Sequence, residues 1–170
     1  VKDETAVKYL KMIEQSNNNL DKILNGIIEL VKTDAIVQTV TKIDFHALTE
    51  RIIQFYKNNP ETSKVEFKID ILNKEDFFSN EAAIQSILYN LINNAVTYRS
   101  SSAPFVAVTI KDTDASLIIS VKDNGAGIAP EFQEQIFNMF FKANSISKGS
   151  GLGLYIVKTI VEKLAGVINL

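Results

Sequence analysis

The sequence has no cysteine and no tryptophan, one histidine, three prolines and seven glycines in 170 residues. Without cysteine there is neither a disulfide framework nor a thiolate metal site, and a reducing compartment is suitable, so a cytoplasmic location is expected. Charge of one sign is also lacking: 18 Lys and Arg stand against 20 Asp and Glu, a net −2. With no basic tract, no nucleic-acid partner is expected. No apolar run approaches the roughly 20 residues that span a bilayer, and no signal peptide opens the chain. A membrane enters this reading only through segments outside the sequence.

What is present is enough hydrophobic residue, 46%, with 22% charged, to bury one good core. From Thr5 to about Lys32 apolar residues recur at helical spacing, Leu10, Ile13, Leu20, Leu24, Ile27 and Val31, with Asn17 at the polar position. Ile23, Ile28 and Leu30 widen this seam beyond a two-stranded coil, so a bundle helix is expected, packed on another chain or segment or else folded back on its own domain. Asp44 is placed to cap a helix from Phe45 to about Asn58, which makes His46 an ordinary helix residue. Pro60 lies in a polar loop. Val65 to Ile71 alternates as a strand, and Ser79 or Asn80 caps a helix running to about Tyr98. Phe105 to Lys111 and Ser116 to Lys122 read as a hairpin. Helices are expected at about 131–140 and 152–164, the second ended by Gly166, and Val167 to Leu170 reads as the start of a strand.

Five of the seven glycines fall in two short stretches. Asp123-Asn-Gly125-Ala-Gly127 follows the apolar strand, so a carboxylate stands at a strand end beside a turn that a ligand can approach closely. Gly149-Ser150-Gly151-Leu152-Gly153 opens a helix, where free N–H groups and the positive helix end suit phosphate. Upstream, Asn90, Asn94 and Thr97 lie at i, i+4 and i+7, a polar stripe in an otherwise apolar helix.

In this order, Asn90-Leu-Ile-Asn-Asn94-Ala-Val-Thr-Tyr98 and the two glycine stretches resemble the N, G1 and G2 boxes of the nucleotide-binding family that includes histidine kinases, type II topoisomerases, Hsp90 chaperones and MutL proteins. Phe137-Asn-Met-Phe140-Phe141-Lys142 is similar to the F box of histidine kinases in particular. The alternation of elements, and the resemblance with it, predicts an α/β fold of the two-layer α+β sandwich type, with helices on one face of a mixed sheet. A long helix of a dimeric bundle precedes it. The resemblance implies that residues 1–41 are one helix of a dimerisation and phosphoacceptor hairpin whose first helix is absent. Residues 42–170 are then an ATP-binding catalytic domain, truncated at its C-terminal strands.

The activity so implied is transfer of the ATP γ-phosphoryl group to a histidine outside this sequence, then to an aspartate of a response-regulator receiver domain, in a homodimer joined through the N-terminal helix. Asn90 and Asn94 are the expected catalytic residues, with Asn94 holding Mg²⁺. Hydrolytic members carry a glutamate where Asn90 stands, and an amide cannot accept a proton at neutral pH. Asp123 is expected to take the exocyclic amine of adenine, with Gly125 and Gly127 against the base. Gly149, Ser150, Gly151, Leu152 and Gly153 are expected at the phosphates. Tyr98, Ile128, Phe141 and Lys142 complete the expected site, under a lid formed by residues 128–148. Thr97 departs from the lysine common in kinases, and Lys142 is the candidate cation in its place. The alternative reading is a degenerate kinase acting as a nucleotide-binding or dimerisation module.

Overall fold

The computed structural model describes residues 4–33, 39–113, 116–143 and 149–170. The helical period of the N-terminal stretch produces α1 (Glu4–Thr33), the longest element. Its seam stays largely in solvent, with Leu10 64% and Leu20 61% exposed, whereas Gly26 is buried. A short strand β1 (Thr41–Lys42) leads to α2 (Phe45–Lys57), whose N-cap Asp44 accepts from the Ala47 N–H at 3.0 Å. His46 lies exposed in its first turn.

Three strands form the main sheet: β2 (Glu66–Ile71), β4 (Phe105–Asp112) and β5 (Leu117–Asp123), in the order β2-β4-β5. β2 runs parallel to β4, with Ile69 opposite Val108, and β4 pairs antiparallel with β5, with Val106 opposite Asp123. The sheet is therefore mixed, as expected. The chain between β2 and β4 contains β3 (Phe78–Ser79), which pairs with β1, and α3 (Glu81–Thr97), capped by Asn80 rather than Ser79. The β1–β3 pair was not legible from the sequence, because two residues carry no period.

α2, α3 and the last helix, α4 (Gly153–Lys163), cover one face of the sheet. Val106, Val108 and Ile110 of β4 are inaccessible beneath Ile84, Leu88 and Ile92 of α3 and Ile156, Val157 and Ile160 of α4. This one core is what holds α3 and α4 side by side. Emptying it at Leu88 would cost about 2–5 kcal/mol.

Three local expectations are corrected. Residues 131–140 do not form an α-helix: a 3₁₀ turn at Pro130–Phe132 is followed by successive turns, mostly bonded three residues back, as in Gln135 N–H to Phe132 O at 2.9 Å. Only Ile136 of that stretch is buried, so no apolar face supports a short helix, whose stability comes chiefly from packing. The left-handed residue that ends α4 is Ala165, φ 56°, not Gly166. Gly166 N–H reaches Val161 O at 2.8 Å and Ala165 N–H reaches Glu162 O at 3.0 Å, the paired bonds of a Schellman motif, with alanine where glycine is usual. Residues 167–170 join no ladder.

Candidate functional site

The polar stripe of α3 falls on its C-terminal half, where α4 crosses. Asn90 is 8% exposed; its Nδ2 donates to Ser86 O at 3.0 Å and lies 3.4 Å from Ser86 Oγ. That bond fixes which end of the amide faces α4. A Cβ on Gly153 would lie 2.9 Å from Asn90 Oδ1, so the glycine is what lets α4 begin against the asparagine. Asn94 is half-buried, and its side chain has no hydrogen-bond partner among the described residues. Asn93, between them in sequence, accepts from Tyr56 OH at 3.0 Å and ties α3 to α2. Burial pushes the Tyr56 hydroxyl well above its ordinary value, and the neighbouring Tyr89 adds to the shift, so it remains a donor at any physiological pH.

The first glycine turn is welded to the end of α3. β5 ends at Asp123, whose Oδ1 accepts from the Gly125 N–H at 2.7 Å, leaving Oδ2 without a partner among the described residues. Ala126 N–H donates to Tyr98 O at 3.0 Å, and a Cβ on Gly125 would overlap that same carbonyl oxygen. Gly127 takes a left-handed φ of 68°. Asn124, which the sequence reading passed over, accepts from Phe105 N–H at 2.9 Å and donates to Ala103 O at 3.0 Å. It pins the turn into β4, in which Ala103 holds a positive φ. An asparagine next to the acid was the signal available; its partners, about 20 residues away in sequence, were not.

The second turn approaches from the other side. A Cβ on Gly149 would lie 3.8 Å from Tyr98 OH, and Ser150 Oγ accepts from the Leu152 N–H at 3.3 Å. Gly151 has φ 78°, and its carbonyl accepts from Phe140 N–H at 3.0 Å. Leu152 turns its side chain wholly into the core, so any ligand meets only its backbone. α4 starts at Gly153 with no side-chain cap and no acidic residue in its first turn. Its leading N–H groups and positive end are thus left for an anion.

The structure brings Asn90, Tyr98, Asp123 and both glycine turns together, with Asn94 on the same stripe. Phe141 is half-buried, its ring 5.8 Å from that of Phe132, while Ile128 is 38% exposed. Lys142 is exposed and makes no ion pair or hydrogen bond among the described residues. The polar part of the expected lid, residues 144–148, lies outside the described residues. Among the described residues no three His, Asp or Glu side chains cluster as a carboxylate–imidazole metal site would require. No helix among them is long and apolar enough to cross a membrane.

Residues 79–170, more than half of the chain, match the family described as histidine kinase-, DNA gyrase B-, and HSP90-like ATPase. The chain is 28% identical over 174 residues to the sensor histidine kinase YcbM of Bacillus subtilis, covering 98% of this chain and 56% of the relative. It spans about half the length of the curated relatives it matches. Two solved structures, ShkA and the histidine kinase ThkA, share the fold. Full-length ShkA in complex with AMPPNP superposes with a TM-score of 0.72 at 23% identity, over 94% of this chain and 34% of that one. ThkA in complex with the response regulator protein TrrA gives 0.70 at 22%, over 98% and 47%.

Proposed function

The chain belongs to the histidine kinase-, DNA gyrase B- and HSP90-like ATPase family, and from that premise we propose that it is the ATP-binding catalytic part of a sensor histidine kinase. It moves the γ-phosphoryl group of ATP to a histidine supplied from outside these residues, and from there to a response-regulator aspartate. The observation that carries this reading is the convergence of one helix on two glycine turns, Asn90 against Gly153 and Tyr98 against Gly125. Residues 42–170 form the catalytic body. Residues 1–41 contribute a helix whose exposed seam joins a second copy.

Each side chain has a defined task. The free oxygen of Asp123 accepts from the adenine amine, where guanine would present a carbonyl. Gly125 and Gly127 let the base lie on the backbone. The N–H groups opening α4 hold phosphate oxygens, and Lys142, exposed and without a partner among the described residues, is the candidate cation. Mg²⁺, when bound, would neutralise the phosphates; the Asn94 amide, without a side-chain partner among the described residues, suits it as a hard oxygen donor, and such an ion needs few protein ligands. Asn90 offers no base for water, because an amide cannot accept a proton at neutral pH; its Nδ2 is held by Ser86 O. Catalysis is then positioning and charge neutralisation.

Calorimetric titration with ATP and GTP, with and without Mg²⁺, tests this reading beside Asp123→Asn. Mg²⁺-dependent binding of ATP, exclusion of GTP and at least tenfold weakening in the variant are expected. A folded sample that binds neither nucleotide would sink it. Thr97, standing where kinases commonly carry lysine, favours a second reading in which bound ATP is only a conformational ligand. Acid-labile phosphohistidine on an added acceptor helix excludes that second reading; ATP binding without it excludes the first.

A further inference from the structure

The long helix touches the body of the protein at an unusual place. α1 is exposed over most of its length, with Leu24 49% and Ile27 40% exposed, yet Gly26 between them is buried and Ile23, one turn earlier, is partly so. What buries Gly26 is Leu152. A Cβ at position 26 would lie 2.5 Å from Leu152 Cδ1, 3.3 Å from its Cβ and 3.5 Å from its Cγ. Glycine weakens a helix interior, so helix formation is not what this residue serves. It makes a notch into which a side chain of another element fits.

That side chain belongs to the second glycine turn. Leu152 lies between Gly151, whose φ of 78° and close approach to Phe140 fix the backbone on one side, and Gly153, held against Asn90 Oδ1 on the other. Leu152 is itself inaccessible and is the residue from which α4 starts. Its Cδ1 can swing aside by a rotamer change, but its Cβ, which would stand 3.3 Å from a Cβ at position 26, moves only with the backbone that it shares with both neighbours. Those neighbours carry the N–H groups offered to an anion.

We propose that the seating of Leu152 in the Gly26 notch is a positioning contact that couples the long helix to the phosphate-facing turn. Displacing the helix deforms the turn; occupying the turn alters the hold on the helix, because such coupling is reciprocal. The regulatory half of this inference rests on the nucleotide reading above, whereas the mechanical half does not.

The absence of cysteine makes the test direct, since spin labels can be placed at Glu14→Cys on α1 and Lys111→Cys on the sheet, both exposed, with no other thiol to compete. Label distances and amide exchange at residues 150–153 are measured without nucleotide in the otherwise unchanged chain, in Gly26→Leu and in the milder Gly26→Ala. The coupling predicts that Gly26→Leu shifts or broadens the distance and raises exchange at residues 151–153 about tenfold, with unchanged far-ultraviolet circular dichroism. Gly26→Ala should change both in the same direction by less, and it remains readable if the leucine variant fails to fold. A shifted distance with unchanged exchange, or no change in either, overturns the proposal. ATP titration of the same proteins adds a separate arm. At least fivefold weaker binding in Gly26→Leu is expected, wild-type affinity alongside altered exchange overturns the regulatory half, and absence of binding in the parent condemns the nucleotide reading alone.

Discussion

Phe140 and Gly151 hold each other in left-handed backbone: the Phe140 N–H donates to Gly151 O at 3.0 Å while their φ angles are 63° and 78°. A Cβ on Gly151 would stand 2.7 Å from Phe140 C, 2.9 Å from its Cα and 2.9 Å from its O, all backbone atoms that no rotamer change can move. Gly151→Ala therefore combines overlap with a disfavoured φ and should cost about 1–3 kcal/mol by analogy with other strained backbone positions. Thermal unfolding should show the loss, and calorimetry should show ATP binding weakened by more than tenfold.

Asn90 is held by a donor bond that a carboxylate cannot make. In Asn90→Asp the atom now donating to Ser86 O would be an oxygen facing an oxygen. The substitution should destabilise by about 1–3 kcal/mol, the cost of unpairing a buried polar group. It should also fail to create sustained ATP hydrolysis, because the new carboxylate is displaced from Ser86. Coupled phosphate-release assays would decide this, and steady turnover in the variant would show that the amide alone restrains hydrolysis.

Asp112 accepts from the Glu75 N–H at 3.0 Å and the Lys74 N–H at 2.7 Å, closing the chain after β2 onto the end of β4. These two backbone bonds, Glu75's the larger effect, hold its carboxyl below the ordinary 3.8. A carboxylate lowered in the folded state contributes stability that is fully present above its unfolded value and is lost as pH falls through the lower folded one. Melting temperature should therefore drop less steeply below about pH 4 in Asp112→Asn than in the parent. Parallel acid titrations of the two proteins would show it, and identical slopes would contradict it.

Ala165 occupies the left-handed position that closes α4, and its two Schellman bonds need only a backbone. Ala165→Gly removes the Cβ penalty there, partly offset by a more flexible unfolded chain. A gain of roughly 0.5–1 kcal/mol is expected, visible as a raised unfolding midpoint.

Much of this was legible in local pattern. The period of Ile84, Ile87, Leu88 and Ile92 fixes α3 and its buried side, the alternation of residues 65–71 fixes β2, and Asp44 and Asn80 are caps of the expected kind. The three boxes likewise lie where strand end, helix and helix start were expected. Residues 131–140 were misread because their composition permits a helix that no core supports. Ala165 was missed because the glycine beside it is the usual left-handed residue.

By itself, then, the sequence determined the long periodic helices and strands, which acid ends a strand and which glycines open a helix, since these follow from spacing within one element. Only the tertiary structure decided that Asn90 faces Gly153, that Asn124 clamps Ala103 and Phe105, that Tyr98 binds the turn at Ala126 and that Gly26 receives Leu152. Each of these joins residues remote in sequence. A contact of that kind exists only after one hydrophobic core has fixed the relative placement of whole elements, and no local period encodes that placement.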